Sequence, residues 1–266
     1  MEAIYYHIDA FTERVFGGNP AGVCCGTHAQ PTEILQKITA ENNLAETAFI
    51  SGPEDGIYGL RWFTPTMEVD LCGHATLAAA HVLWRHKTAS TPIVEDKIVF
   101  KTLSGLLTVT RDDKNLMTLD FPARPAEPVE PPLDAKEALS AQPISCWKAR
   151  DYLFEFRTEG EIRALKPDFA RLASWDQAFG VIVTAPGREV DFVSRFFAPR
   201  AGVPEDPVTG SAHCTLIPFW VERLRKTVLR ARQVSSRGGE LFCEAQGDRV
   251  KIAGHAVTYS RGVIEF

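Results

Sequence analysis

RWFTPTMEVDLCGHATLAAAHVLW, from Arg61 to Trp84, reads as a strand, a turn and then a helix opening at Gly73. Ala75, Leu77, Ala78, Ala79, Ala80, Val82, Leu83 and Trp84 surround the helix axis. A helix apolar on every side is a buried helix, not one laid on a surface. A second version of the stretch follows as RFFAPRAGVPEDPVTGSAHCTLIPFW, from Arg195 to Trp220. The opening arginines are 195 − 61 = 134 residues apart and the closing tryptophans 220 − 84 = 136, close to half of the 266-residue chain. Two versions of one unit are therefore expected, with the chemistry where they differ.

Working outward, residues 1–11 read as a strand, with Ile4, Tyr6 and Ile8 alternating. FGGNPAGV (16–23) is a loop, in which Gly17, Gly18 and the Asn19-Pro20 pair signal a turn. Its functional alternative is a loop whose bare backbone lets a ligand come close. Pro31 opens a helix to about Asn43, LAETAFI (44–50) enters a strand, and 57–64 is the strand before the buried helix. Short strands are expected near 96–101, 105–111 and 115–121. PARPAEPVEPPL (122–133) holds five prolines and reads as a semi-rigid linker. In the second half, strands are expected near 145–156, 178–183, 190–198 and through 228–266, with a short helix near 167–173. Pro218 should kink or shorten the second central helix. The fold class is α+β: two pseudo-duplicated domains, 1–121 and 134–266, each a curled mixed or antiparallel, barrel-like sheet around a central helix. The last strand is left open to pack back on the first domain.

Composition sets the outer bounds. Hydrophobic residues at 45% and charged residues at 24% suit a globular protein that buries a large core. The net charge, 29 − 34 = −5, argues against nucleic acid as a partner. Six scattered cysteines make no disulfide framework, and no CxxC pair or HExxH spacing suggests a metal. No apolar run reaches the length of a membrane span, and MEAIYYHIDAF is not a signal peptide. The expectation is a reduced, cytoplasmic protein with a small-molecule partner.

The helix starts carry the clearest chemistry. Gly73 and Gly210 each free a first turn of N–H groups, which attracts carboxylates or phosphates. Related by a pseudo-twofold axis, both could face one interdomain cleft, favouring a small carboxylate as substrate. Cys72, just before the first helix, is either a packing residue or a thiol made acidic by the helix end. Asp206 matches it by count, 206 − 72 = 134. His74 beside the helix start is expected to be neutral. Ser211 either caps the second helix or donates to a ligand, and His213 is structural. Glu46, amid apolar neighbours, either turns to solvent or sits in a low-dielectric pocket. GxSxG, Walker A and GxGxxG motifs are all missing from the chain.

In order and spacing, FGGNPAGV (16–23), LAETAFI (44–50), RWFTP with DLCGHATLAAA (61–80), RFFAP with EDPVTGSAHCTLIPFW (195–220) and QVSSRGGEL (233–241) resemble the PhzF-like family, named for an isomerase of phenazine biosynthesis. The family is similar in fold to diaminopimelate epimerase. The resemblance implies a cofactor-independent isomerase, expected as a homodimer, in which a glutamate moves a proton on a small amino-acid-like metabolite. Glu46 matches that glutamate, and His74, Asp206 and Ser211 match residues that hold the substrate and assist. Gly73 and Gly210 match positions whose backbone meets the substrate carboxylate, and Asn19 and Cys72 are grouped with these binding positions. The epimerase relatives use one thiol from each half, whereas Asp206 answers to Cys72 here. An amino-acid racemase using Cys72, and a non-catalytic binding protein that keeps the cleft, are the alternatives.

Overall fold

The computed structural model describes residues 1–27, 30–86 and 96–266. Two compact units emerge: Met1–Asp120 with Ala253–Phe266, and Phe121–Ile252. The first holds β1 (Glu2–Ala10), β2 (Asn19–Cys25), α1 (Thr32–Asn42), β3 (Glu46–Glu54), β4 (Ile57–Phe63), β5 (Glu68–Val69), α2 (Gly73–His86), β6 (Lys97–Thr102), β7 (Gly105–Arg111) and most of β8 (Met117–Pro122). The second holds β9 (Glu127–Pro128), α3 (Ala135–Leu139), β10 (Ser145–Lys148), β11 (Tyr152–Glu155), α4 (Glu159–Ala164), α5 (Phe169–Ser174), β12 (Val181–Pro186) and β13 (Phe192–Ala198). It continues through β14 (Val203–Asp206), α6 (Gly210–Leu224), β15 (Val228–Gln233), β16 (Gly239–Gln246) and most of β17 (Arg249–Gly254). β18 (Ala256–Glu265) returns to the first unit and pairs antiparallel with β1 from Glu2↔Glu265 to Ala10↔Ala256.

The duplication is written in the strand pairing. In the first unit, β2–β3 is parallel, β3–β4 and β4–β5 antiparallel, β4–β6 parallel and β6–β7 antiparallel. In the second, β11–β12, β12–β13, β13–β14, β13–β15 and β15–β16 repeat that series in the same senses. Ala48 faces Trp62 as Ile182 faces Phe196, an offset of 134 on both strands. One ion pair is copied as well. Arg61 forks onto Glu68 at 2.7 and 2.8 Å, and Arg195 onto Glu205 at 2.7 and 2.9 Å. Each guanidinium also lies 5.0 Å from the centre of a phenylalanine ring two residues on, Phe63 and Phe197.

The central helices are buried as their composition demands. In α2, every residue from His74 to Ala80 is buried, and in α6 the run from Ala212 to Ile217 is. Removing this apolar surface from water is the main stabilising term in each unit. Pro218 neither cuts nor shortens its helix: α6 runs 15 residues against 14 for α2. A proline cannot donate to the carbonyl four residues back. That carbonyl belongs to Cys214, and the backbone N–H of Arg124 donates to it at 2.9 Å.

Residues 122–133 are not a free linker. They belong to the second unit, where Pro128 and Glu127 pair with Trp147 and Lys148. The short helices α3 and α4 had no counterpart in the sequence-based expectation. Thr158 and Glu161 close α4 with a capping box, a local signal of helix start. Among the described residues, no helix is long and apolar enough to cross a membrane.

Candidate active site

Three local devices bring Asn19, Glu46, Cys72 and His74 together in the first unit. Gly18 adopts φ +61°, and a Cβ there would lie 2.0 Å from the Ala10 carbonyl oxygen, so only glycine makes this turn. The turn lays Asn19 against Ala10 at the head of β2. Ala21, two residues on, pairs in parallel register with Glu46, the first residue of β3. Residues two apart on a strand share a face, as do cross-strand partners, so Asn19 and Glu46 project to the same side. His74 is the second residue of α2, which crosses that side.

The imidazole of His74 links the group. Its Nε2 lies 3.2 Å from Glu46 Oε2. Its Nδ1 lies 3.2 Å from Asn19 Nδ2 and 3.6 Å from Cys72 Sγ. Glu46 and His74 face each other without the alignment of a hydrogen bond, an arrangement common in catalytic pairs before substrate binds. Asn19 is fully buried, so it holds the ring and does not lie open to a ligand. An amide suits this place, because it can present Nδ2 to a neutral ring or Oδ1 to an imidazolium.

One expectation is corrected here, and one pair of alternatives is narrowed. Burial disfavours the charged form of His74, but the Cys72 sulfur beside Nδ1 and the Glu46 carboxylate beside Nε2 outweigh it and raise the pKa well above the ordinary histidine value. The direction is opposite to the one expected from the helix end. Burial likewise raises the pKa of Cys72, with Glu46 acting in the same direction; His74 and the Ala75 N–H oppose them without prevailing. Of the two alternatives for Cys72, the raised pKa and an exposure of only 7% favour the packing residue over the acidic thiol.

Glu46, Cys72 and His74 also place one donor atom each within 4.8 Å of one another, close enough to suggest a metal cluster. Their closest contacts fall on opposite nitrogens of the ring. The carboxylate addresses Nε2 and the thiol Nδ1, so the ring stands between them.

In the second unit, Asp206, Gly210 and Ser211 gather at the start of α6. Trp62↔Val69 and Phe196↔Asp206 are matching pairs, so Asp206 corresponds to Val69 and not to Cys72. The place of Cys72, immediately before the helix, is taken by Thr209, whose hydroxyl makes a short bond to the Asp206 carboxylate. Gln233, fully buried, was given no role from sequence although it heads QVSSRGGEL. Its Oε1 accepts from the Thr209 N–H at 2.9 Å, and its Nε2 donates to the Asp206 carbonyl at 2.7 Å. Ser235 Oγ donates to the Pro207 carbonyl at 2.8 Å. These side chains pin the turn EDPVTG. Ser211 Oγ lies 3.3 Å from Arg150 Nη2. His213 is structural: burial lowers its pKa to about 4, and its Nδ1 donates to the Thr209 carbonyl at 2.8 Å.

The phenazine biosynthesis-like family PhzC-PhzF matches residues 8–262. An uncharacterized isomerase of Pseudomonas aeruginosa is 48% identical over 265 residues, covering 99% of each chain. The crystal structure of a phenazine biosynthesis protein of the PhzF family from Enterococcus faecalis superposes over the whole of both chains with a TM-score of 0.95 at 44% identity. A hydroxyproline epimerase from Agrobacterium vitis, 10% identical, shares the diaminopimelate epimerase-like fold with a TM-score of 0.64 over 99% of this chain and 92% of its own. The chain therefore belongs to the phenazine biosynthesis-like PhzC-PhzF family and is an isomerase.

Proposed function

We propose that the protein moves a proton between carbons of a small carboxylate, with Glu46 as the acid-base group. The 3.2 Å approach of Glu46 to His74 carries this reading. The side chain of Glu46 keeps 18% of its surface exposed, so a substrate can reach it, while that of His74 keeps 6%. Glu46 as carboxylate takes a proton from a carbon beside an electron-withdrawing group. The electron pair left behind moves into the conjugated system, and Glu46 returns the proton to a second carbon. One proton leaves and one arrives, so no oxidant, reductant or cofactor enters the balance. His74, held by Asn19 and Cys72, stabilises the Glu46 carboxylate before the first transfer and after the second, and keeps the carboxyl group oriented throughout. Asp206 and Ser211 are assigned substrate-holding roles on the family resemblance.

The test is incorporation of solvent deuterium into a panel of small amino and hydroxy acids. Glu46→Gln is expected to slow exchange by at least ~100-fold, the usual scale of general acid-base catalysis. Exchange that survives in Glu46→Gln sinks the assignment. A racemase built on Cys72 is disfavoured because the thiol is buried, its pKa is raised, and Thr209 stands at the corresponding place. Cys72→Ala is expected to keep exchange within ~10-fold of the parent, since it removes packing and not the proton carrier. Complete loss in a folded Cys72→Ala protein would restore the thiol mechanism.

A further inference from the structure

The same register that aligns the two units also aligns their helix heads. Gly22 pairs with Thr47 as Tyr152 pairs with Val181, an offset of 152 − 22 = 130 on the first strand. Residues 148–151 therefore take the place of 18–21. His74 and Ser211 are both second residues of their helices. Each is met by a side chain from the matching turn: His74 by Asn19 at 3.2 Å, and Ser211 by Arg150 at 3.3 Å. Where the first unit offers a neutral amide, the second offers a cation.

That cation is not used up by its neighbours. Arg150 Nε lies 3.4 Å from Asp151 Oδ1, a long contact, and its plane lies 4.4 Å from the centre of the Phe179 ring. Its side chain is 37% exposed, whereas that of Asp151 is 2% exposed. Arg124 acts on the same Asp151 carboxylate, and its Nη1 is buried with no hydrogen-bond partner. Two guanidinium groups thus share the Asp151 carboxylate. Arg150 keeps N–H donors for a further acceptor, and Ser211 adds a hydroxyl beside them. A guanidinium fork with an adjacent hydroxyl matches the two oxygens of a carboxylate.

We propose that Arg150 is a specificity-determining residue which, with Ser211, binds a carboxylate in the second unit. This deepens the isomerase reading by assigning the side chain that receives the substrate's carboxylate, and it rests on that reading for the identity of the ligand. The stacking of Arg150 on Phe179 keeps the side chain extended, so less freedom is lost when an anion arrives.

The experiment follows the Ser211 amide and Arg150 Nε–H signals of the full chain by nuclear magnetic resonance during titration with benzoate. Benzamide serves as the uncharged isostere and inorganic phosphate as a second anion. Benzoate is expected to shift both signals and benzamide neither. Arg150→Met keeps the stem over Phe179 and is expected to weaken benzoate binding by ~10-fold or more, the effect of losing one charged hydrogen bond. Should Arg150→Met unfold, Arg150→Lys carries the test: it keeps the charge but loses the fork, and a several-fold loss is expected. Benzoate binding and deuterium exchange are measured separately on the same protein, so loss of one without the other separates this proposal from the proton-transfer reading. Unchanged benzoate affinity in the Arg150 variants, or equal binding of benzamide, overturns the proposal. Tighter binding of phosphate than benzoate overturns the carboxylate assignment.

Discussion

Gly180 stands where Glu46 stands. The register that sets Ala48 against Trp62 sets Ile182 against Phe196, and 46 + 134 = 180. Glu46 of the first unit has no side chain opposite number in the second. Nor has Gly180 room for one, because a Cβ there would meet the Phe196 ring at 2.4 Å and the Phe197 carbonyl oxygen at 3.1 Å.

Gly180→Ala is therefore expected to destabilise the protein by about 1–3 kcal/mol, the usual scale of forcing a methyl into a packed core. Urea denaturation followed by circular dichroism measures it. Unchanged stability would mean that the Phe196 ring yields freely.

The imidazole between Glu46 and Cys72 predicts a pH dependence. The folded-state pKa of His74 is raised above its unfolded value of 6.5. Its contribution to stability is then full below pH ~6.5 and is lost as pH rises through the folded value. Removing Glu46 removes one of the causes. The urea midpoint of the parent is expected to fall more steeply above pH 6.5 than that of Glu46→Gln. Parallel curves for the two proteins would show that the carboxylate does not hold the imidazolium.

Gln233 is expected to matter more than any surface residue of the second unit. Gln233→Leu leaves the buried Thr209 N–H and the Asp206 carbonyl without their partner, and each orphaned group costs about 1–3 kcal/mol. The variant should melt earlier, and the Ser211 amide signal should broaden as the turn loosens. A sharp, unmoved Ser211 signal would show that the turn holds itself.

Much of this was legible in the sequence because it is written in composition and spacing. The two helices apolar on all sides could only be buried, and the near-equal offsets of arginine and tryptophan exposed the duplication. What stayed hidden depends on through-space register. Counting 134 residues from Cys72 led to Asp206, but the first repeat runs from Trp62 to Gly73 in 11 residues and the second from Phe196 to Gly210 in 14. The extra residues lie before Asp206, so Thr209 and not Asp206 inherits the place of Cys72. The direction in which the His74 pKa moves was misread for a related reason. A helix end was visible in the sequence, whereas the carboxylate 3.2 Å away was not. Gln233 and Arg150 carry no local signal, since each acts on a residue at least 24 positions distant.

The return of β18 to β1 sets an order of events at the ribosome. The second unit is one continuous stretch, Phe121–Ile252, and has all its strands once that stretch has emerged. The first unit is begun earlier but completed later. Until residues 256–265 are made, β1 lacks its partner on that side and shows a row of unpaired N–H and C=O groups. The half translated first is thus the half that finishes last, and its open edge is the nascent chain's point of exposure to unwanted pairing.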